Sequence, residues 1–184
     1  MPRVSIIMPY MPNRGAQLDK TLQSIARQNR NDVEVVLVPD VRPHPLFKWL
    51  NPAPLWNQAI NRSVGEILIL QSPECSHGLS DTIEKLCEVQ EGQALFASVM
   101  ALDRQGLNDH WYCHPEARRE PWFFCGSILR KTLGNIRFNE KFTSYGGEDV
   151  DFAGQLQRAG INFIWREDIY VEHQWHEFTG GVGV

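Results

Sequence analysis

The chain has 184 residues, 42% of them hydrophobic and 22% charged, with a formal net charge of -4. That length can bury a proper core as one domain, and the mild acidity leaves no basic footprint for nucleic acid. No apolar run approaches the roughly 20 residues that span a bilayer, and Met1-Pro2-Arg3-Val4 leads into an extended segment rather than a secretory leader, so the expected setting is the cytoplasm.

In chain order, Val4-Ser5-Ile6-Ile7-Met8-Pro9 is a short apolar run closed by proline, which suits a buried strand. A loop follows from Tyr10 to Gly15. Leu18, Leu22, Ile25 and Ala26 then recur at helical spacing across Ala16 to Gln28, and Val33 to Val38 is a β-branched second strand ending at Pro39-Asp40. Strand, helix and strand read as a βαβ unit, hence a parallel sheet. Ligands bind outside the carboxyl ends of such strands, which singles out Pro9 to Arg14 and Asp40.

Val41 to Pro54 holds Pro43, Pro45, Pro52 and Pro54 around Phe47-Lys48-Trp49-Leu50, an irregular surface segment able to cover the site. Helical spacing returns from Leu55 to Ser63, with Gly65 as its stop. Glu66 to Leu70 is a third strand delivering Gln71-Ser72-Pro73-Glu74, a carboxylate at the same edge as Asp40. Ser80 or Asp81 caps a helix reaching about Cys87, Ala94 to Leu102 is a strand, and Asp103 to Gly106 is a turn. Cys75, Cys87, Cys113 and Cys125 include no Cys-x-x-Cys pair and are expected as reduced, mostly interior thiols. His110, Cys113 and His114 have a spacing that fits no common metal site.

The second half is less regular. Trp111, Tyr112, Trp122, Phe123 and Phe124 cluster around a charged segment, either as core packing or as faces on which sugar rings stack. Ser127 to Arg130 reads as a strand and Asn139 to Phe142 as a turn. Then comes Ser144-Tyr145-Gly146-Gly147-Glu148-Asp149-Val150-Asp151-Phe152, where two glycines permit a tight approach to a ligand and three acids open a helix that Gly160 ends. The acids either complement the helix dipole or meet a polar ligand, and the glycine pair, which a simple cap does not need, favours the ligand. Ile161 to Trp165 and Ile169 to Val171 are two short strands leading to His173 and His176. His173 reads either as a satisfied structural histidine or as a ligand. The expected layout is a compact domain over residues 1–178 and a mobile glycine-rich tail over 179–184.

From about Val4 to His176 the order of these pieces resembles the family 2 glycosyltransferases of the GT-A fold. That resemblance implies an α/β, Rossmann-like domain with a mostly parallel central sheet flanked by helices. The opening strand and loop, with Pro9, Tyr10, Asn13 and Arg14, look like the part that touches the nucleotide. Asp40 is similar to the survivor of an aspartate pair that reads base and ribose, Pro39 standing where the first belongs. Leu55-Trp56-Asn57-Gln58-Ala59-Ile60 resembles the helix that follows, which places Asn57 with the nucleotide-sugar contacts. Gly146-Gly147-Glu148-Asp149 is similar to the acidic loop of β-galactosyltransferase-like members, which adds Gly147 to the donor contacts and makes Asp149 the general base. Glu148 would orient the donor.

The implied reaction is inverting transfer of a hexosyl group from a nucleotide-diphosphate sugar, a UDP-sugar foremost, to a hydroxyl of a carbohydrate or glycoconjugate acceptor. The family ends its third strand in Asp-x-Asp, which holds a divalent metal, whereas this chain has Gln71-Ser72-Pro73-Glu74. Glu74 and His173 are the substitute ligands for manganese or magnesium. Failing that, Arg14 must neutralise the diphosphate, or the site binds a nucleotide sugar without turning it over. A nucleotidyltransferase on a similar sheet would want a glycine- and lysine-rich phosphate loop, and Tyr10 to Gly15 has one glycine and no lysine.

Overall fold

The structure, a computed structural model, describes residues 3–42, 50–119, 121–143 and 146–177. The expected cover around Phe47-Lys48-Trp49, Tyr145 of the glycine loop and the tail 179–184 lie outside them.

Strand β1 (Val4–Tyr10) lies between β2 (Val33–Pro39) and β3 (Ile67–Gln71), parallel to both. Ile6, Ile7, Met8 and Ile67 to Leu70 are fully buried or nearly so, which is why β1 and β3 read as unbroken apolar runs rather than alternating ones. Helices α1 (Gly15–Ala26) and α2 (Ala53–Arg62) make the crossovers of this parallel part. Gly65 has a role different from the expected helix stop. Helix α2 ends at Ser63 in extended backbone, and a Cβ on Gly65 would come within 2.6 Å of the Ser5 backbone nitrogen. Glycine is there so that the chain can enter β3 pressed against β1.

The sheet continues as β2-β1-β3-β7-β5-β8-β4 and is mixed. Strand β7 (Cys125–Leu129) runs antiparallel to both β3 and β5 (Gln93–Leu102). Strand β8 (Asn162–His173) runs parallel to β5 and carries the short β4 (Cys75–His77) antiparallel on its far side. The two short strands expected between Ile161 and Val171 are one. A bulge between Ala97, paired with Arg166, and Ser98, paired with Tyr170, absorbs Glu167 to Ile169, and Arg166 Nε and Nη2 donate to both Asp168 carboxylate oxygens at 2.7 and 2.8 Å. Strand β6 (Asn108–Cys113), not expected, pairs antiparallel with the far end of β5. Its polar first half, Asn108 to His110, followed by Trp111 and Tyr112, has no period-2 alternation to mark it as a strand.

Helices α3 (Thr82–Leu86), α4 (Arg130–Leu133) and α5 (Glu148–Arg158) complete the described elements. Helix α5 is fastened by aromatic stacking: Phe152, fully buried, lies 3.9 Å from the Phe138 ring at 9° and meets Phe123 edge-on at 5.4 Å. Phe123 in turn packs on Phe96 of β5, and Phe96 on Phe163 and Trp165 of β8. This aromatic column joins the middle of the sheet to the helix that carries the acids. Among the described residues no helix is long and apolar enough to cross a membrane.

Candidate active site

The carboxyl ends of β1, β2 and β3 open onto a cleft of about 910 Å³, its open mouth included. Pro9, Tyr10 and Arg14 come from the end of β1 and the 3-10 turn Pro12–Arg14, Asp40 from the end of β2, and Ser72 and Glu74 from the end of β3. Across from these, α5 contributes Glu148 and Asp149. Trp56, Trp122, Phe123, Phe124 and Phe138 supply apolar wall. Of the residues singled out in the sequence, Pro9, Tyr10, Arg14, Asp40, Glu74, Glu148 and Asp149 therefore meet in one place. Asn13, exposed on the turn, does not line the cleft, and neither do Asn57, Gly147 and His173.

The acidic loop owes its shape to its glycines. Gly146 and Gly147 have φ of 101° and 86°, a region that L side chains enter at a cost, and Gly147 is the residue that caps α5. The loop closes on itself when the Gly146 N–H donates to Glu148 Oε2 at 2.8 Å. Burial, helped by the neighbouring Asp149 charge, raises the Glu148 pKa above the ordinary glutamate value. Asp149 is half-exposed and accepts the Val150 N–H at 2.8 Å through Oδ1. Asp151, the third acid, accepts from Gln155 Nε2 at 2.8 Å and belongs to the helix surface.

Asn57 serves the scaffold. Its amide nitrogen donates to the Phe138 carbonyl at 2.9 Å and to Glu140 at 2.7 Å, and its oxygen accepts the Phe138 N–H at 2.9 Å. With its donors and acceptor so engaged, it holds the turn before the acidic loop instead of facing the cleft. Asn51 does the same one turn earlier, donating to the Phe142 carbonyl at 3.1 Å. Asp40 is clamped by Arg42, whose Nε and Nη2 reach its two oxygens at 2.8 and 2.7 Å while Nη1 donates to the Asn51 carbonyl at 2.9 Å. Arg42, Asn51, Ser72, Trp56 and Phe138 were not singled out from the sequence. Only Arg42 left a local signal there, an arginine two residues beyond the aspartate.

Glu74 and His173 are brought together, since β4 pairs Cys75 with His173 and the Gln174 N–H donates to the Glu74 carbonyl at 2.9 Å. Their surroundings do not suit a divalent metal. Arg14 Nη1 donates to Glu74 Oε1 at 2.5 Å and Ser72 Oγ to Oε2 at 2.5 Å, so both carboxylate oxygens are engaged. His176 Nε2 lies 3.4 Å from the same Arg14 nitrogen. Burial works against ionisation of Glu74, but the Arg14 charge and these hydrogen bonds overcome it and hold its pKa below the ordinary value. His173, packed edge-on against Tyr112 and Phe124, is pushed down to about 4 by burial. Among the described residues no three His, Cys, Asp or Glu side chains converge as metal ligands. The sequence expectation of a Glu74 and His173 metal pair thus meets a carboxylate already bonded to a guanidinium.

No protein-family model matches the chain, and no curated protein matches it in sequence. Solved structures do match in shape. Staphylococcus aureus TarS residues 1–349 with UDP-GlcNAc aligns at a TM-score of 0.72 and 15% identity over 96% of this chain and 59% of that one. The mannosyltransferase PcManGT from Pyrobaculum calidifontis, with GDP-Man and Mn2+, gives 0.67 and 16% over 93% and 56%. The catalytic domain of Drosophila β1,4-galactosyltransferase 7 with xylobiose gives 0.66 and 13% over 90% and 65%. The fold is the one seen in GT-A glycosyltransferases, and the chain spans only about 56–65% of the length of these three structures.

Proposed function

We propose that this chain is a nucleotide-sugar-dependent glycosyltransferase that moves a hexosyl group to an acceptor hydroxyl with inversion. What carries the reading is the convergence, on one aromatic-walled cleft at the strand ends, of Arg14 from the β1 side and of Glu148 and Asp149 from α5. Solved structures of similar shape hold UDP-GlcNAc and GDP-Man, which favours a nucleotide-diphosphate sugar as donor and a carbohydrate or glycoconjugate as acceptor.

In this reading the acceptor oxygen attacks the anomeric carbon as its proton passes to the Asp149 carboxylate. The bond from that carbon to the diphosphate oxygen breaks, its electron pair leaves with the diphosphate, and the new glycosidic bond forms on the opposite face. No covalent enzyme intermediate is needed. Asp149 suits the base because it is half-exposed at the cleft wall, whereas Glu148, buried and fixed by the Gly146 N–H, suits orienting the donor hydroxyls. Because Glu74 is engaged by Arg14 and Ser72, no step here runs through a metal.

The test is a thermal-shift screen of UDP, GDP and their sugar conjugates, paired with an assay of diphosphate release. A ligand that binds the folded chain raises its melting temperature. Wild type should release diphosphate, and Asp149→Asn should bind as well but turn over about 10² to 10⁴-fold more slowly. Absence of any nucleotide-dependent shift would sink the proposal. The altered third-strand end favours one second reading, a module that binds a nucleotide sugar without transferring it, for which binding by both proteins and release by neither is the expected result.

A further inference from the structure

A departing diphosphate needs positive charge beside it. Among the described residues that line the cleft, Arg14 is the one cationic side chain, set among Asp40, Glu74, Glu148 and Asp149. It is also held in place, with its side chain only 13% exposed and that of Glu74 only 6%. A divalent ion seeking Glu74 would have to break both the Arg14 and the Ser72 bonds to that carboxylate. A guanidinium presents five N–H donors in a planar fork that matches phosphate oxygens, and Glu74 Oε1 engages it at Nη1.

Resting on the reading above, we propose that this cleft takes its nucleoside diphosphate without a divalent metal, the Arg14 guanidinium meeting the phosphates and Glu74 serving as the positioning residue that orients it. One structure of similar shape contains Mn2+ with its GDP-Man, whereas here the carboxylate at the end of the third strand holds an arginine.

The experiment is calorimetric titration of the full chain with UDP, GDP and UMP, in EDTA and again in manganese. A diphosphate should bind in EDTA with an affinity that manganese leaves unchanged. Arg14→Met paired with Glu74→Gln removes both members of the buried pair together, which preserves the fold better than removing one. That double variant should melt as a folded protein and bind the diphosphate about tenfold or more weakly, with UMP binding little affected, since a charge-assisted hydrogen bond is lost only for the outer phosphate. Glu74→Gln alone should weaken the diphosphate and not UMP. Binding that appears only with manganese would overturn the inference and leave the transferase reading standing. Equal binding by wild type and double variant in EDTA would also overturn it, and failure of every nucleotide under every condition would remove both.

Discussion

Arg14 and Glu74 are 60 residues apart in the chain and one short hydrogen bond apart in space. Each was legible in the sequence as a residue just beyond a strand end, but nothing local told that one would occupy the other. A buried ion pair contributes little beyond what an apolar pair would, while removing one partner is costly. Arg14→Met alone should therefore lower the free energy of unfolding by about 3–5 kcal/mol, and adding Glu74→Gln should recover most of it, as urea titration of the three proteins will measure. His77 offers a second residue-scale effect. Burial pushes its pKa down to about 4, its Nε2 meets Gln71 Oε1 at 2.9 Å, and its Nδ1 is buried with no hydrogen-bond partner among the described residues. With the folded value below the unfolded 6.5, the unfolded chain binds the extra proton between them. Its contribution is thus complete above about pH 6.5 and is lost as pH falls toward 4, by up to about 3 kcal/mol. His77→Gln should flatten that part of the stability profile, and His173, also depressed to about 4, should keep the remainder.

At the level of elements, α5 and its loop were readable as a unit. The glycine pair, the acids, the apolar spacing from Phe152 and the stop at Gly160 all lie within one stretch, and local backbone rules act over that range. Among the described residues, a Cβ on Gly147 would approach nothing closer than Phe142 Cε1 at 3.6 Å, so the obstacle they leave to a side chain there is the backbone angle, φ of 86°. Gly147→Ala should cost about 1–2 kcal/mol of stability, read by denaturant titration, and should weaken any cleft ligand by disturbing the Glu148 position. The elements that eluded the sequence failed for a shared reason. Strand β6 carries charges and aromatics because it lies at the side of β5, and β8 contains a polar insertion because a bulge can hold it. Neither arrangement leaves an alternating pattern. Of the aromatic bunch Trp111, Tyr112, Trp122, Phe123 and Phe124, Phe123 is buried in the core and also lines the cleft, where Trp122 and Phe124 join it.

For the molecule as a whole, all four cysteines are free, and burial raises the pKa of Cys125 to about 12 and of Cys87 to about 11. Native protein at neutral pH should react slowly with a thiol reagent, at the half-buried Cys87 first, and all four thiols should react at once when the fold is opened by denaturant. Rapid labelling of Cys125 in the native state would contradict the packing of β7 beside β3. The same packing explains how the cleft is assembled. From the sequence alone came the βαβ opening, the strand ends at Pro9, Asp40 and Glu74, and the acidic loop, because apolar periodicity and glycine placement are properties of neighbouring residues. Only the tertiary structure decided that Asn57 and Asn51 hold the turn before that loop, that Arg42 clamps Asp40, and that Arg14 holds Glu74. Those pairings depend on the order and direction of strands in a mixed sheet, which bring side chains from distant segments within hydrogen-bond reach and leave no local trace.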